Sequence, residues 1–155
     1  MMICKAERRH IPGMIELLKQ VGQVHHLGRP DLFRAGAQKY SEADLEILLE
    51  DENRPIFIAQ EDGQILGYGF CILKVTKNDP VLADQTTLYI DDLCVDENHR
   101  GQGVAKALYG HVCDYAKGQG CEFITLNVWC GNDTAMRFYE QAGLKARHIM
   151  MEMKL

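Results

Sequence analysis

The spacing of apolar residues along the chain predicts alternating strands and helices. Apolar positions recur at helical intervals over residues 11–21 and 103–117, and each run would present one apolar stripe. A shorter predicted helix follows Ser41, which forms a capping-box pattern with Asp44. Runs rich in β-branched and aromatic residues predict strands over residues 3–6, 56–60, 65–74, 87–95 and 121–128. Asn132 can cap a helix through Gln141, and residues 144–153 are predicted to form a closing strand.

Turn-forming residues set the order of these elements. Asp62 and Gly63 lie between two predicted strands and favour an antiparallel hairpin. Residues 23–39 are predicted to be irregular because Gly28 and Pro30 interrupt them. A hairpin followed by a β-α-β-α-β run is typical of an α/β protein with one mixed sheet.

Length and composition favour one domain over residues 1–155, of which 46% are hydrophobic. The chain has no apolar run of 18 residues and becomes charged at Lys5, so we expect a cytoplasmic protein without a membrane partner. The net charge of −5 disfavours a broad phosphate-binding surface, so no nucleic-acid partner is expected. Six scattered cysteines without a Cys-x-x-Cys pair predict reduced core thiols and no metal site.

A glycine-bearing turn after the strand predicted over residues 87–95 is the first candidate site. Gly101 and Gly103 precede the start of a helix, where unpaired N–H groups attract phosphate. The turn is not a P-loop, since no Gly-Lys-Ser/Thr follows, and a dinucleotide-binding Gly-x-Gly-x-x-Gly would need glycine at Lys106. A bare pair of glycines would also suit an ordinary tight turn.

A second motif, one helix and one strand further on, changes this interpretation. Residues 132–144 contain Asn132, Ala135, Phe138, Tyr139 and Gly143. This segment resembles the Asn…Ala…Phe-Tyr-Glu…Gly-Phe motif of GNAT N-acetyltransferases, with leucine at position 144 in place of the usual phenylalanine, and residues 100–105 resemble their coenzyme-binding motif. The likeness covers about residues 60–155, whereas residues 1–54 match only in the order of their elements.

The resemblance implies the GNAT fold, a twisted mixed sheet that is split in a V and has helices on both faces, with acetyl-CoA as co-substrate. The pantetheine arm would enter the gap between the strands over residues 87–95 and 121–128, and the pyrophosphate would lie on the amides of residues 101–106. The residues implied in coenzyme binding are Leu93, Cys94, Val95, Arg100, Gly101, Gln102, Gly103, Val104, Ala105, Lys106, Asn132 and Tyr139.

Acetyl transfer to an amine calls for a base and an acid, because an alkyl ammonium has a pKa of about 10.4 and a thiol one of about 8.5. The resemblance makes Asp91 the candidate base, acting directly or through a water, with Asp92 in reserve. The two side chains are predicted to point to opposite faces of their strand, so that only one faces the gap. The alternative for both is a strand edge or bulge that tolerates charge.

The resemblance also implies that Tyr139 donates a proton or hydrogen bond to the departing thiolate. Its alternative role is to pack in the hydrophobic core beside Phe138. Two consecutive helix residues point about 100° apart, however, so one of the two rings can pack while the other reaches the gap. Asn132 is predicted to cap its helix, with contact to the pantetheine arm as a second role.

No motif specifies the acceptor. In the family, the segment that corresponds to residues 23–39 usually lines the acceptor site. This segment and the residue that follows the strand predicted over residues 121–128 supply the substrate candidates, which are His25, His26, Arg29, Phe33 and Trp129. Their alternatives are solvated loop residues and, for the tryptophan, a cover over the core; a metal is not expected, since no third ligand is spaced near the two histidines. A small-molecule or peptide amine is the expected partner, and a homodimer is compatible with the family.

Two functions therefore compete. The first is an N-acetyltransferase in which the amine attacks acetyl-CoA directly within a ternary complex. The second is a non-catalytic acyl-CoA-binding module or sensor on the same fold. The presence of Asp91 and Tyr139 favours the enzyme.

Overall fold

A computed structural model describes residues 1–155 and contains one five-stranded sheet with four α-helices. The strands are β1 (Met2–Lys5), β2 (Ile56–Glu61), β3 (Gln64–Thr76), β4 (Gln85–Val95) and β5 (Phe123–Leu126). The helices are α1 (Ile11–Gly28), α2 (Glu42–Leu49), α3 (Val104–Gly118) and α4 (Asp133–Gln141). The strands lie in chain order, antiparallel except for the parallel pair β4–β5, which confirms the mixed α/β sheet.

The hydrophobic core lies on both faces of the sheet. Helices α1 and α2 cover one face, where Met14, Leu18 and Leu45 are fully buried against Ile58 and Tyr68. Helix α3 covers the other, and its buried residues are Val104, Leu108, Val112 and Ala116. None of the four helices combines the length and apolar character that crossing a bilayer requires.

Two local predictions are confirmed in detail. Ser41 Oγ accepts a hydrogen bond from the Asp44 N–H, and the Asp44 side chain accepts one from the Ser41 N–H, so both halves of the capping box are present. Asp62 and Gly63 both have positive φ, as the tight turn between β2 and β3 requires.

The prediction that helix α1 ends near Val21 is wrong, because the helix continues to Gly28. Gly22 does not break it. The backbone carbonyl of Ala37 lies so close to Gly22 that a Cβ there would approach the oxygen to 2.0 Å. Glycine at this position therefore permits a close approach of the loop that follows the helix.

The C-terminal part of the chain departs furthest from the sequence prediction. Strand β5 covers only Phe123–Leu126, and none of its residues is fully buried, so the prediction of a longer buried strand is wrong. The predicted closing strand over residues 144–153 is also absent: residues 144–155, hereafter the C-terminal tail, form no helix or strand. Beyond the Leu144 N–H, which donates to the Tyr139 carbonyl, no tail residue makes a backbone hydrogen bond.

The cysteines match the prediction only in part. Cys71 and Cys94 are buried and Cys130 is exposed, so the last is not a core residue. All six are free thiols.

His10 gives the folded chain a specific pH dependence. It is only 4% exposed, its Nδ1 accepts the Glu7 N–H, and its Nε2 is buried without a partner. Burial, followed by the charge of Arg9, lowers the pKa of His10 from its ordinary 6.5. His10 therefore binds a proton near pH 6.5 more readily in the unfolded chain than in the folded chain. The free energy of unfolding falls as the pH drops below that value.

We expect His10→Asn, whose Oδ1 can still accept the Glu7 N–H, to reduce this dependence. In urea titrations between pH 7 and 5.5, the free energy of unfolding should fall more steeply for the wild type than for the variant, by at most about 1.4 kcal/mol per pH unit. Other titrating groups contribute equally to both proteins, so the difference isolates His10. Parallel curves would contradict the assignment.

Candidate active site

The sheet opens into a gap between β4 and β5. The two strands pair only from Thr87 to Ile90, opposite Phe123–Leu126, while β4 continues to Val95. The Asp96 N–H donates to the Leu66 carbonyl of β3. Because backbone groups alternate in direction along a strand, those of Leu93 and Val95 point away from β3 and into the gap. These are the two residues expected to pair with a pantetheine chain.

The prediction that Asp91 and Asp92 point to opposite faces of β4 is wrong. The ladder between β3 and β4 shifts at this point, pairing Phe70 with Asp92 but Cys71 with Ile90, so Asp91 is the extra residue of a β-bulge. The bulge interrupts the alternation. Both carboxylates therefore lie on the α1–α2 face of the sheet, where each accepts a hydrogen bond from a tyrosine of that face.

The two carboxylates have different surroundings. Asp91 Oδ2 accepts a hydrogen bond from the Tyr40 hydroxyl at 2.7 Å and forms an ion pair with Lys39 Nζ at 2.9 Å. Asp92 Oδ2 accepts one from the Tyr68 hydroxyl at 2.8 Å and has no cation within ion-pair distance. Burial raises the pKa of Asp92, with the hydrogen bond from Tyr68 opposing that effect. Asp92 is thus the unneutralised carboxylate of the pair.

Lys39 and Tyr68 contact the two carboxylates, but the sequence did not predict either of them as a site residue. Lys39 lies in the loop before α2 and carried no motif, and Tyr68 looked like any alternating residue of β3. Only the register of β3 against β4 shows that Tyr68 shares a face with Asp92. No sequence signal could have found either contact.

The glycine turn presents free backbone donors at the start of α3. Gly101 and Gly103 have φ values of 74° and 83°, and Gly103 is the N-cap without any side-chain cap. The first N–H groups of the helix, from Val104 to Lys106, therefore lack intrahelical partners. A Cβ on either glycine would meet no atom within 4 Å, so the space in front of the turn is open. This is the arrangement that binds a phosphate group.

The remaining residues of the glycine turn are exposed at its rim. Arg100, Gln102 and Lys106 are exposed, and the Gln102 side chain donates to the Asn98 carbonyl. Asp96 holds the approach to the turn by accepting the Asn98 N–H at 2.8 Å. The two flanking charges, on Arg100 and Lys106, are both positive.

Tyr139 and Asn132 belong to α4, on the β5 side of the gap. Asn132 Oδ1 accepts the Ala135 N–H at 3.2 Å, which confirms the predicted cap. The Tyr139 ring contacts Tyr109 and Phe138, with centroids 6.1 and 5.1 Å away, and its hydroxyl makes no hydrogen bond within the chain. Burial, and secondly the negative charge of Asp92, raise the pKa of Tyr139 to about 12. The phenol therefore stays protonated at neutral pH.

Three of the predicted acceptor residues form an aromatic stack. His25 stacks on Phe33 at 4.9 Å, and Trp129 meets the Phe33 ring edge-on at 5.2 Å. His26 Nδ1 lies 2.7 Å from the Phe33 carbonyl, which fixes the loop after α1. Arg29 is the exception: its guanidinium pairs with Asp31 and with Glu152 of the C-terminal tail.

Trp129 places this aromatic group beside the gap, since it follows the end of β5 by three residues. The stack of His25, Phe33 and Trp129, hereafter the aromatic wall, is therefore close to the gap. No three His, Cys, Asp or Glu side chains converge as a metal site would need.

Comparison with known proteins identifies the family. The model of the Acetyltransferase (GNAT) family matches residues 21–144. A glucosamine 6-phosphate N-acetyltransferase of Trypanosoma brucei brucei is 28% identical over 102 residues, which cover 64% of this chain and 64% of that protein. The chain thus spans less than two thirds of that relative's length.

Two solved structures show the same fold. A mutant of the BH1408 protein from Bacillus halodurans is 28% identical, with a TM-score of 0.95 over 100% of this chain and 99% of that one. The aminoglycoside N-acetyltransferase AAC(6')-Iy, solved with CoA, is 18% identical, with a TM-score of 0.74 over 99% of both chains. With a split sheet, a free glycine turn and a family match over most of its length, the chain belongs to the GNAT acetyltransferase family.

Proposed function

We propose that the protein, as one domain over residues 1–155, transfers the acetyl group of acetyl-CoA to an amine by direct attack within a ternary complex. The observation that carries the proposal is the gap itself. On the β4 side, the backbone groups of Leu93 and Val95 are unpaired, and the helix that follows Gly103 begins with free N–H donors. Asp92 supplies a carboxylate that no cation neutralises, and Tyr139 supplies a protonated phenol.

Two parts of the coenzyme fit the gap and the glycine turn. The pantetheine amides pair with the backbone of Leu93 and Val95, as an added strand would. The pyrophosphate takes the N–H groups of residues 101–106, with Arg100 and Lys106 adding positive charge at the exposed rim. Supporting this reading, AAC(6')-Iy was solved with CoA on the same fold.

Asp92 is the proposed base and Tyr139 the proposed acid. The ammonium group of the acceptor loses a proton to the carboxylate, directly or through a water, and the free amine attacks the thioester carbonyl. When the tetrahedral intermediate collapses, the C–S bond breaks and the leaving thiolate takes a proton or hydrogen bond from the phenol. Asp91, already neutralised by Lys39, is proposed to position Tyr40 and the bulge rather than to move the proton.

Buried cysteine thiols do not suit an acyl-enzyme pathway. Burial raises the pKa of both Cys71 and Cys94 to about 12, so neither is a thiolate near neutral pH. Cys94 lies on β4 beside the gap, yet it is buried on the α1 face. Direct transfer to the amine needs no such nucleophile.

The proposed acceptor is a small-molecule or peptide amine. Its ammonium group is attracted by Asp92, and an aromatic or planar part beside the amine can pack on the aromatic wall. One relative is named for glucosamine 6-phosphate and one structural neighbour for aminoglycosides, and both kinds of compound carry amines.

The direct test is release of coenzyme A from acetyl-CoA in the presence of amine sets: polyamines, amino acids, amino sugars, aminoglycosides and peptides. Turnover with at least one set, with the acetylated amine seen by mass spectrometry, supports the transferase. Acetyl-CoA binding without turnover across all sets would instead favour a non-catalytic acyl-CoA sensor. Absence of both would contradict the proposal.

Coenzyme binding is expected to depend on Gly103. Gly103→Val places a β-branched residue at φ 83° and fills the open space in front of the helix donors. We expect at least a tenfold loss of acetyl-CoA affinity by calorimetry, or about 1.4 kcal/mol.

The matched control is Gly120→Val at the other end of α3. Gly120 also has a positive φ, of 70°, and also faces open space. Both variants pay a similar conformational cost of about 1–2 kcal/mol, so their unfolding free energies should drop alike. Equal acetyl-CoA affinities in the two variants would exclude the glycine turn as the phosphate site.

A further inference from the structure

The segment from Asp96 to Gly103, hereafter the approach segment, joins β4 to α3 and contains the glycine turn. Its only regular structure is one 3₁₀ turn, Glu97–His99. None of its residues is buried. Packing in the hydrophobic core therefore does not fix the backbone of this segment, and its conformation depends on hydrogen bonds.

Most hydrogen bonds of the approach segment stay within it. Asp96 Oδ1 accepts the Asn98 N–H at 2.8 Å and lies 3.1 Å from His99 Nδ1. The Asp96 carbonyl accepts the His99 N–H, and the Gln102 side chain donates to the Asn98 carbonyl. Asp96 is therefore the residue around which the segment turns.

Gln20 of helix α1 is the one side chain outside the approach segment that forms hydrogen bonds with it. Its Nε2 donates to Asp96 Oδ2 at 3.1 Å, and its Oε1 accepts the Glu97 N–H at 3.1 Å. The other hydrogen bonds that leave the segment join backbone groups at its two ends, to Leu66 of β3 and to the first turn of α3. Gln20 thus supports the segment where its ends do not.

The glutamine amide suits both of its partners. A carboxylate such as that of Asp96 only accepts hydrogen bonds, whereas the Glu97 N–H only donates, so their common partner must donate to one and accept from the other. A neutral amide does both. A glutamate at position 20 would place a second negative charge against Asp96, and a methionine of similar length would make neither hydrogen bond.

We infer that Gln20 is a positioning residue for the coenzyme, acting through Asp96 and Glu97 to hold the glycine turn in the conformation that presents its free N–H donors. This inference rests on the proposed pyrophosphate site over residues 101–106. If only a fraction of the molecules holds the turn in that conformation, the apparent dissociation constant of the coenzyme rises as that fraction falls. Gln20 therefore contributes to affinity without being a catalytic residue.

Helix α1 also carries His25 of the aromatic wall. His25 follows Gln20 by five residues, which is about 7.5 Å along the helix axis. The hydrogen bonds of Gln20 therefore connect the helix that bears part of the candidate acceptor site with the segment that bears the candidate coenzyme site. One helix supports both sites.

The test compares the same substitution at two positions of α1. Gln20→Met keeps the length and helix propensity of the side chain but removes both hydrogen bonds. Gln23→Met, three residues further on, alters an exposed side chain without a hydrogen-bond partner. Acetyl-CoA affinity is measured by calorimetry, and backbone protection in the free proteins by hydrogen-exchange mass spectrometry.

We expect Gln20→Met to weaken acetyl-CoA binding by about tenfold, because two hydrogen bonds, one of them to a carboxylate, no longer hold the turn. Gln20→Glu should lose at least as much affinity. In both variants, amides of the approach segment should exchange faster while those of α1 and β4 keep the wild-type rates. Gln23→Met should match the wild type in affinity and exchange.

An unchanged affinity in Gln20→Met overturns the inference, as does an equal loss of affinity in Gln23→Met. Faster exchange throughout α1 and β4 also overturns it, because the loss of affinity would then reflect lower stability of the whole fold. If the wild type itself does not bind acetyl-CoA, the proposed function fails together with this inference. If the wild type binds and only the comparison at position 20 fails, the proposed function stands.

Discussion

Tyr139→Phe is expected to lower kcat by about 100-fold while leaving KM and thermal stability nearly unchanged. The phenol stabilises the departing thiolate only as negative charge develops, so its loss acts on the transition state. A 100-fold loss corresponds to about 2.7 kcal/mol and is at the low end for a positioned acid, because a thiolate is already a fair leaving group. The ring contacts with Tyr109 and Phe138 survive the change. The measurement is steady-state kinetics, with a single-turnover assay to establish that chemistry limits the rate.

Tyr109→Phe is the control for this experiment. Tyr109 neighbours Tyr139 and also has a pKa raised by burial, but it belongs to α3 and packs against the α3-side core. Removing its hydroxyl should leave turnover unchanged. If both variants keep full turnover while chemistry is rate-limiting, Tyr139 is a packing residue and the thiolate leaves without an acid.

Asp92→Asn is expected to reduce kcat/KM at neutral pH by about 100-fold, with recovery as the pH approaches the pKa of the free amine, about 10.4. Burial raises the pKa of Asp92 above 3.8, so wild-type activity should decline on the acid side as this carboxyl takes up a proton. The variant lacks that group, and its activity should instead follow deprotonation of the amine alone. The measurement is the pH profile of kcat/KM for both proteins.

Asp91→Asn separates the two carboxylates. The asparagine can still accept from Tyr40, but the pair with Lys39 is lost. A smaller rate loss with a wild-type pH profile supports Asp92 as the base. If Asp91→Asn instead abolishes the acid limb and Asp92→Asn does not, the sequence-based choice of Asp91 is correct.

Local signals in the sequence were reliable where one short segment decides the structure. The Ser41 capping box, the Asp62-Gly63 turn and the Asn132 cap each depend on hydrogen bonds or dihedral angles within a few residues. The same holds for the start of α3, where two glycines with positive φ leave the helix donors free. Such features require no knowledge of the rest of the fold.

Features that depend on distant partners could not be predicted. The helix predicted over residues 11–21 continues to Gly28, and the contact that requires glycine at position 22 comes from Ala37, in the loop beyond the helix. The faces of Asp91 and Asp92 depend on how β4 registers against β3, which two strand sequences do not specify alone. The tail has a correct strand pattern, yet no strand of its own chain pairs with it.

The bulge at Asp91 also makes the length of β4 part of the site. With one residue fewer between Ile90 and Asp92, the ladder would be regular and both residues would keep their present faces, because they would then be consecutive. If Asp91 were kept but paired in a regular ladder, Leu88 and Ile90 would leave the α3-side core, or Asp92 and Cys94 would leave the α1 side. In a related sequence, an aligned pair of aspartates therefore indicates the same arrangement only if the residue count between the core positions on either side of the pair is also kept.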